Sequence, residues 1–218
     1  MAAAVEMAYR TIRDGIVSGV YRPGDHLTAQ GLAAASGISR TPVREAMRRL
    51  HAEGLIRFIA NRGAFVTNLD ERDISKIYDL RVVLESYAAE TAAQEATTAQ
   101  IDGLDALALE MAAEVERSPG PDIDRVTQLN SEFHKLIVTA AANPRLETAL
   151  ASIVEMPLVL RTFLRYRQDE LRRSMSQHVE LVEALRARDG TWARSVMSSH
   201  ILAGRNTLLR SLEPSGEG

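Results

Sequence analysis

Five histidines occur among the 218 residues, and three of them fall where helical spacing turns them toward an apolar interior. Val126, Leu129, Phe133, Ile137 and Ala141 repeat at intervals that align on one helix face, and Asn130 and His134, one turn apart, lie within that stripe. Met175, Val182 and Leu185 make a second stripe that takes in His178; Val196, Gly204 and Leu208 make a third that takes in His200. Imidazole nitrogen and amide oxygen are both metal donors. Asn130, His134, His178 and His200 together therefore suit a divalent ion, zinc, nickel or similar, with positions left open for water or an anion. The plainer alternative is that each histidine is a satisfied core residue, the commoner fate of one imidazole on an apolar face. Three on separate helices strain that explanation.

Arg81 raises a related question. Ile77, Tyr78, Leu84 and Ala88 put it on an inward stripe, and a guanidinium cannot shed its charge, so burial demands an anion. Glu85, one turn on, is one answer and a carboxylate-bearing effector is the other. An ion held by neutral ligands keeps its double charge, and Arg81 adds to it with Glu85 offsetting only part. The expectation is a cavity that attracts a small organic acid.

A different chemistry lies between Gly37 and Leu50. Val43, Ala46, Met47 and Leu50 recur at helical spacing, while Arg40, Arg44, Arg48 and Arg49 distribute cation elsewhere around the same helix. Ser39 or Thr41 is expected to cap it, Pro42 to occupy its first turn and Glu45 to reach back as a capping-box acid. A shorter helical segment around Leu32, Ala33 and Ala34 ends at Gly37, which is helix-turn-helix spacing. Strand-like runs from Leu55 to Ile59 and from Ala64 to Thr67 flank Asn61-Arg62-Gly63, a hairpin signal. Together these predict a winged helix-turn-helix whose second helix enters a DNA groove. An Arg-rich helix packed on a neighbour needs no DNA, but that alternative must also account for the wing and for the charge distribution. Residues 1–69 carry nine Arg against five acids, and residues 70–218 carry 17 Lys plus Arg against 24 acids. A cationic head on an acidic body is the pattern of a phosphate-facing module.

The elements that must hold these groups are mostly helices. Val5 to Ser18 reads as a first helix, and after the linker Thr67-Asn68-Leu69-Asp70, where Asn68 or Asp70 can cap the next helix, the pattern is helical to the end. The segments are Ile74 to Glu95, Ala99 to Arg117, Ile123 to Ala142, Pro144 to Tyr166, Glu170 to Arg188 and Thr191 to Leu212, with short connections that imply an antiparallel bundle of about six helices. The fold class is mainly α. Residues 1–69 form the DNA-binding domain, 70–212 the helical domain, and 213–218 a loose tail. The chain has no Cys, which excludes thiolate metal sites and thiol nucleophiles, and no apolar run approaches a membrane span. A cytoplasmic protein is expected.

Tyr21-Arg22-Pro23-Gly24-Asp25-His26-Leu27, Ser39-Arg40-Thr41-Pro42-Val43-Arg44-Glu45-Ala46, Glu53-Gly54-Leu55 and Asn61-Arg62-Gly63-Ala64-Phe65-Val66 resemble the N-terminal domain of GntR-family bacterial transcription regulators. The resemblance implies that Ser39, Arg40, Thr41 and Arg44 meet bases and phosphates in the major groove, with Arg62 and Gly63 at the wing tip near the minor groove. Asp79-Leu80-Arg81-Val82-Val83-Leu84-Glu85, Asn130-Ser131-Glu132-Phe133-His134, the segment from His178 to Asp189 and His200-Ile201 are similar to the FCD ligand-binding domain of the FadR subfamily. In many such domains an Asp and three His hold a metal; here Asn130 stands at the acid position. The resemblance also implies that Arg81 binds the effector, and that a homodimer, acting as a repressor, binds an inverted-repeat operator in double-stranded DNA without catalysing a reaction. Two other readings stay open: a regulator that answers to the metal itself, and a hydrolase built on a three-histidine metal, although no residue nearby suits a general base.

Overall fold

The computed structural model describes residues 2–17, 19–60, 62–68, 71–151, 153, 156–210 and 212. Asn61 of the expected wing tip, Asp70 as a cap and the tail 213–218 lie outside them. The chain divides near residue 70 into two compact units.

The first unit contains α1 (Ala2–Val17), β1 (His26–Leu27), α2 (Ala29–Ser36), α3 (Arg40–Ala52), β2 (Ile56–Ile59) and β3 (Gly63–Val66). Thr28 caps α2 by accepting from the Gly31 amide at 3.0 Å, and Gly37 ends the helix in the left-handed region that glycine enters without strain. Ser39 stands at the N-cap of α3 but makes no side-chain cap bond, and Glu45 bonds Arg48 instead of reaching back. The expected capping box cannot close, because Pro42 sits at the third helical position and has no N–H to offer. At the other end Gly54 and Leu55 return their amides to the His51 and Leu50 carbonyls, a Schellman closure that turns the chain straight into β2. The wing is an antiparallel sheet of order β1-β3-β2, with Arg57 opposite Phe65 and Ile59 opposite Gly63. Its third strand, β1, is two residues long, too short for any alternation to show in the sequence. Ile12, Leu32, Val43, Met47, Leu50, Ile56 and Val66 form the core beneath.

The second unit is helical: α4 (Glu71–Glu95), α5 (Thr98–Val115), α6 (Ile123–Ala140), α7 (Pro144–Ala151), α8 (Met156–Phe163), α9 (Gln168–Arg186) and α10 (Gly190–Arg210). The single helix expected from Pro144 to Tyr166 is thus two. Pro157, in the first turn of α8, cannot donate to the Ile153 carbonyl, so a continuous helix would lose a bond there. Small residues let the long helices approach: α4 buries Ala88, Ala89, Ala92 and Ala93, and α10 buries Gly190, Ala193 and Gly204. The helix starts are capped, Thr97 and Gln100 reciprocally and Asp122 through the amides of Asp124 and Arg125. Arg188, itself at positive φ, donates to the carbonyls of Ala93, Gln94 and Ala96 and so closes the C-terminal end of α4. No described helix is long and apolar enough to cross a membrane.

Candidate functional site

Helix α3 buries Pro42, Val43, Ala46, Met47 and Leu50 and turns Ser39, Arg40, Thr41 and Arg44 outward. Its four arginines differ in what they already hold. Arg49 is the most engaged: its guanidinium lies 3.7 Å from the centre of the Tyr9 ring and pairs with Glu6 at 2.8 Å and Glu53 at 3.1 Å. Tyr9 in turn donates to Glu53, and its burial together with that carboxylate pushes the phenol up to about 12. Arg48 pairs with Glu45, and Arg40 donates to the Gln30 side chain at 2.9 Å. Arg44 alone of the four has no partner among the described residues. On the wing, Arg62 is exposed with its guanidinium 5.8 Å from the Phe65 ring centre. Gly63 has φ +97°, and a Cβ there would lie 2.5 Å from His26 Nε2, because His26 stacks on Phe65 at 4.8 Å. Backbone conformation and crowding both call for glycine at that strand start.

The second constellation lies inside the bundle. α6 supplies Asn130 and His134, α9 supplies His178 and α10 supplies His200, all buried. One nitrogen of each imidazole lies within 4.8 Å of the other two, and ring centres are 4.6 to 5.7 Å apart. Burial, reinforced by the neighbouring imidazoles, holds His178 well below its ordinary value and brings His200 down to about 3. These two are therefore neutral near pH 7, the form that ligates metal. Both nitrogens of His178, His134 Nε2 and Asn130 Oδ1 are buried without a hydrogen-bond partner. An orphaned buried polar atom costs roughly 1 to 3 kcal/mol, so one unpartnered lone pair on each of these three residues points to a guest that takes them, with the second His178 nitrogen left as an N–H that an ion cannot serve. The donor set fits a divalent ion.

Arg81 and Glu85 project from α4 into the same interior, 5% and 2% exposed. Arg81 Nε donates to Glu85 Oε1 at 2.8 Å, while Glu85 Oε2 lies 2.6 Å from His134 Nδ1. Burial alone would raise the Glu85 carboxyl, but the Arg81 guanidinium and then His134 bring it down to about 2. Arg81 is thus a paired cation, and its partner is the acid one turn away. It still faces open space. A cavity of about 380 Å³ is lined by Arg81, Glu85, Asn130 and His134 on its polar side and by Val138, Leu150 and Val159 on its apolar side, with the exposed Lys135 and Glu147 also bordering it. A second cavity of about 20 Å³ shares Arg81 and Asn130 and adds His200 and Ser174. It is large enough for one water, which would serve the otherwise unpartnered Ser174 hydroxyl.

The three histidines named from spacing therefore converge, and Asn130 and Arg81 line the cavities beside them. Sequence reasoning missed the bond that Glu85 accepts from His134 and the Gln177 side chain 3.3 Å from His200 Nδ1. Glu85 carried a signal, since it falls one turn from Arg81 on the inward stripe; the identity of its second partner did not.

Residues 4–66 match the gntR family of bacterial regulatory proteins, and residues 76–203 match the FCD domain. Among curated relatives, the Nta operon transcriptional regulator of Aminobacter aminovorans is 34% identical over 186 residues, 85% of either chain. The gluconate operon transcriptional repressor of Bacillus subtilis is 28% identical over 193 residues, 86% of this chain and 77% of that one. Among solved structures, Escherichia coli McbR/YncC superposes with a TM-score of 0.70 at 22% identity, over 97% of this chain and 99% of that one. The last is a likeness of fold.

Proposed function

Because the chain belongs to the GntR family of DNA-binding transcriptional regulators and carries an FCD domain, a class of regulators and not of enzymes, we propose that a small organic acid controls its grip on an operator from the cavity beside a metal centre. His134, His178 and His200 hold the ion, with the Asn130 amide oxygen as a fourth, weaker ligand. When bound, a divalent ion supplies a Lewis-acidic anchor for one carboxylate oxygen. Arg81 supplies the other anchor, since Glu85 takes only its Nε and the two Nη groups keep their donors. Val138, Leu150 and Val159 favour a compact carbon skeleton. The observation that carries this reading is the set of orphaned donor atoms gathered against a cavity with a guanidinium in its wall.

At the DNA, Ser39, Arg40, Thr41 and Arg44 read the major groove, and Arg62 and Gly63 approach the minor groove. The protein works as a homodimer on an inverted repeat, which the exposed apolar row Leu80, Val83 and Tyr87 on α4 supports as a self-associating face. The repressor named for a gluconate operon supports the same sense of regulation. The cytoplasm, where such operators lie, is the proposed location.

Two measurements test this. Arg44→Ala should weaken operator binding by roughly 1 to 3 kcal/mol in an anisotropy titration, whereas Arg49→Ala should lower thermal stability and leave the affinity of the folded protein nearly unchanged. Equal losses from both would refute the division of labour on α3. Elemental analysis of protein purified without chelator should find a divalent metal in the wild type, and none once His134, His178 and His200 are replaced by Ala. A metal-only effect on operator affinity, with carboxylates inert, would favour the ion itself as the signal.

A further inference from the structure

Glu85 stands between two functional groups and touches both. It comes from α4, is almost fully buried, and divides its two oxygens between Arg81 Nε and His134 Nδ1. A carboxylate can only accept, so the contact with His134 requires a hydrogen on Nδ1. A neutral imidazole carries one such hydrogen, and its other nitrogen is then a lone pair. That nitrogen is Nε2, which is buried without a partner in the cluster that includes His178 and His200.

We propose that Glu85 is the positioning residue of the metal centre: it fixes His134 in the tautomer whose lone pair can ligate, and Arg81 in turn fixes Glu85. The proposal rests on the metal reading above and adds to it a residue that never touches the ion. Carboxylate partners of this kind orient ligating imidazoles and raise their basicity, and losing one typically weakens metal binding 10- to 100-fold. The geometry also predicts what an amide would do in its place. A glutamine has one acceptor oxygen for two donors. Arg81, permanently charged, claims that oxygen, and the amide NH₂ is left facing Nδ1, where it stabilises the opposite tautomer and places the hydrogen on Nε2.

Glu85→Gln should therefore bind zinc 10- to 100-fold more weakly than wild type in competition with a chromophoric chelator. Removing the rival donor should undo the damage: in Arg81→Met combined with Glu85→Gln the amide oxygen is free to accept from Nδ1, and zinc affinity should recover most of that loss. Long-range ¹⁵N NMR of the metal-free wild type should show His134 protonated at Nδ1, a readout that needs no variant to fold. His134 protonated at Nε2 in that spectrum, or zinc bound within twofold by wild type and Glu85→Gln, would overturn the role of Glu85. A wild type that binds no zinc would overturn the metal centre itself, and with it this proposal.

Discussion

Four arginines share one helix, and their neighbours decide which of them can reach another molecule. Arg49 is retired by Glu6, 43 residues away in sequence, and by Tyr9, so residue type alone could not separate it from Arg44. The same holds for the histidines, whose chemistry depends on what surrounds them. His178 and His200 titrate below the ordinary histidine value of about 6.5 in the folded chain, so the unfolded chain takes up protons that the folded one refuses. Stability of the metal-free protein should accordingly fall as pH drops below about 6.5, by roughly 1 kcal/mol per pH unit for each of the two, until the folded values are reached. Glu85 adds its own loss only below about 4.5, because its folded value lies near 2. Urea midpoints measured with chelator at pH 7, 6 and 5 should decline, and His200→Gln should roughly halve the slope. A flat profile across that range would mean that these imidazoles are not held neutral.

At the scale of elements, the close passage of α4 and α10 constrains the backbone itself. A Cβ on Gly190 would lie 2.9 Å from the Glu90 carbonyl oxygen, a backbone atom that cannot swing aside. Alanine is the better helix former by up to about 1 kcal/mol, but Gly190 opens α10, where that advantage is small. Overpacking costs typically 1 to 3 kcal/mol. Gly190→Ala should therefore lower the bundle's melting temperature, and a stabilised variant would show that the helices can part more easily than their contacts indicate. Helix positions and inward faces were legible because burial on one face leaves a period near 3.6 residues, as in the stripe from Val126 to Ala141. Three things were not. The two residues of β1 carry no period, the break before Pro157 lies within an otherwise continuous apolar pattern, and the pairing of Glu85 with His134 is set by how α4 lies against α6. Periodicity says which side chains point inward. It does not say which ones meet.

For the whole molecule, two compact units with separate cores predict two unfolding events. A ligand that binds only the folded bundle stabilises only the bundle, by roughly 3 kcal/mol at a hundredfold excess over its dissociation constant. Zinc should therefore raise the transition of the helical unit and leave that of the winged unit where it was, as calorimetry of wild type and of the His134, His178 and His200 triple Ala variant would reveal. Movement of both transitions together would show that the units unfold as one. The charges divide the same way, a net positive first unit and a net negative second one, so salt should weaken DNA binding steeply without a matching change in bundle stability. The burial of the three imidazoles has a further consequence, in time. His178 is fully enclosed and its companions are 7% and 8% exposed, while the larger cavity runs from His134 to the exposed Lys135 and Glu147. An ion leaving the cluster by that passage would find it closed whenever an acid is seated there. Effector and metal would then differ in tempo, the acid coming and going while the ion's residence lengthens with each occupancy. On the proposed function, such a site would not gauge free metal from moment to moment; it would keep a memory of the supply at loading and report the acid present now.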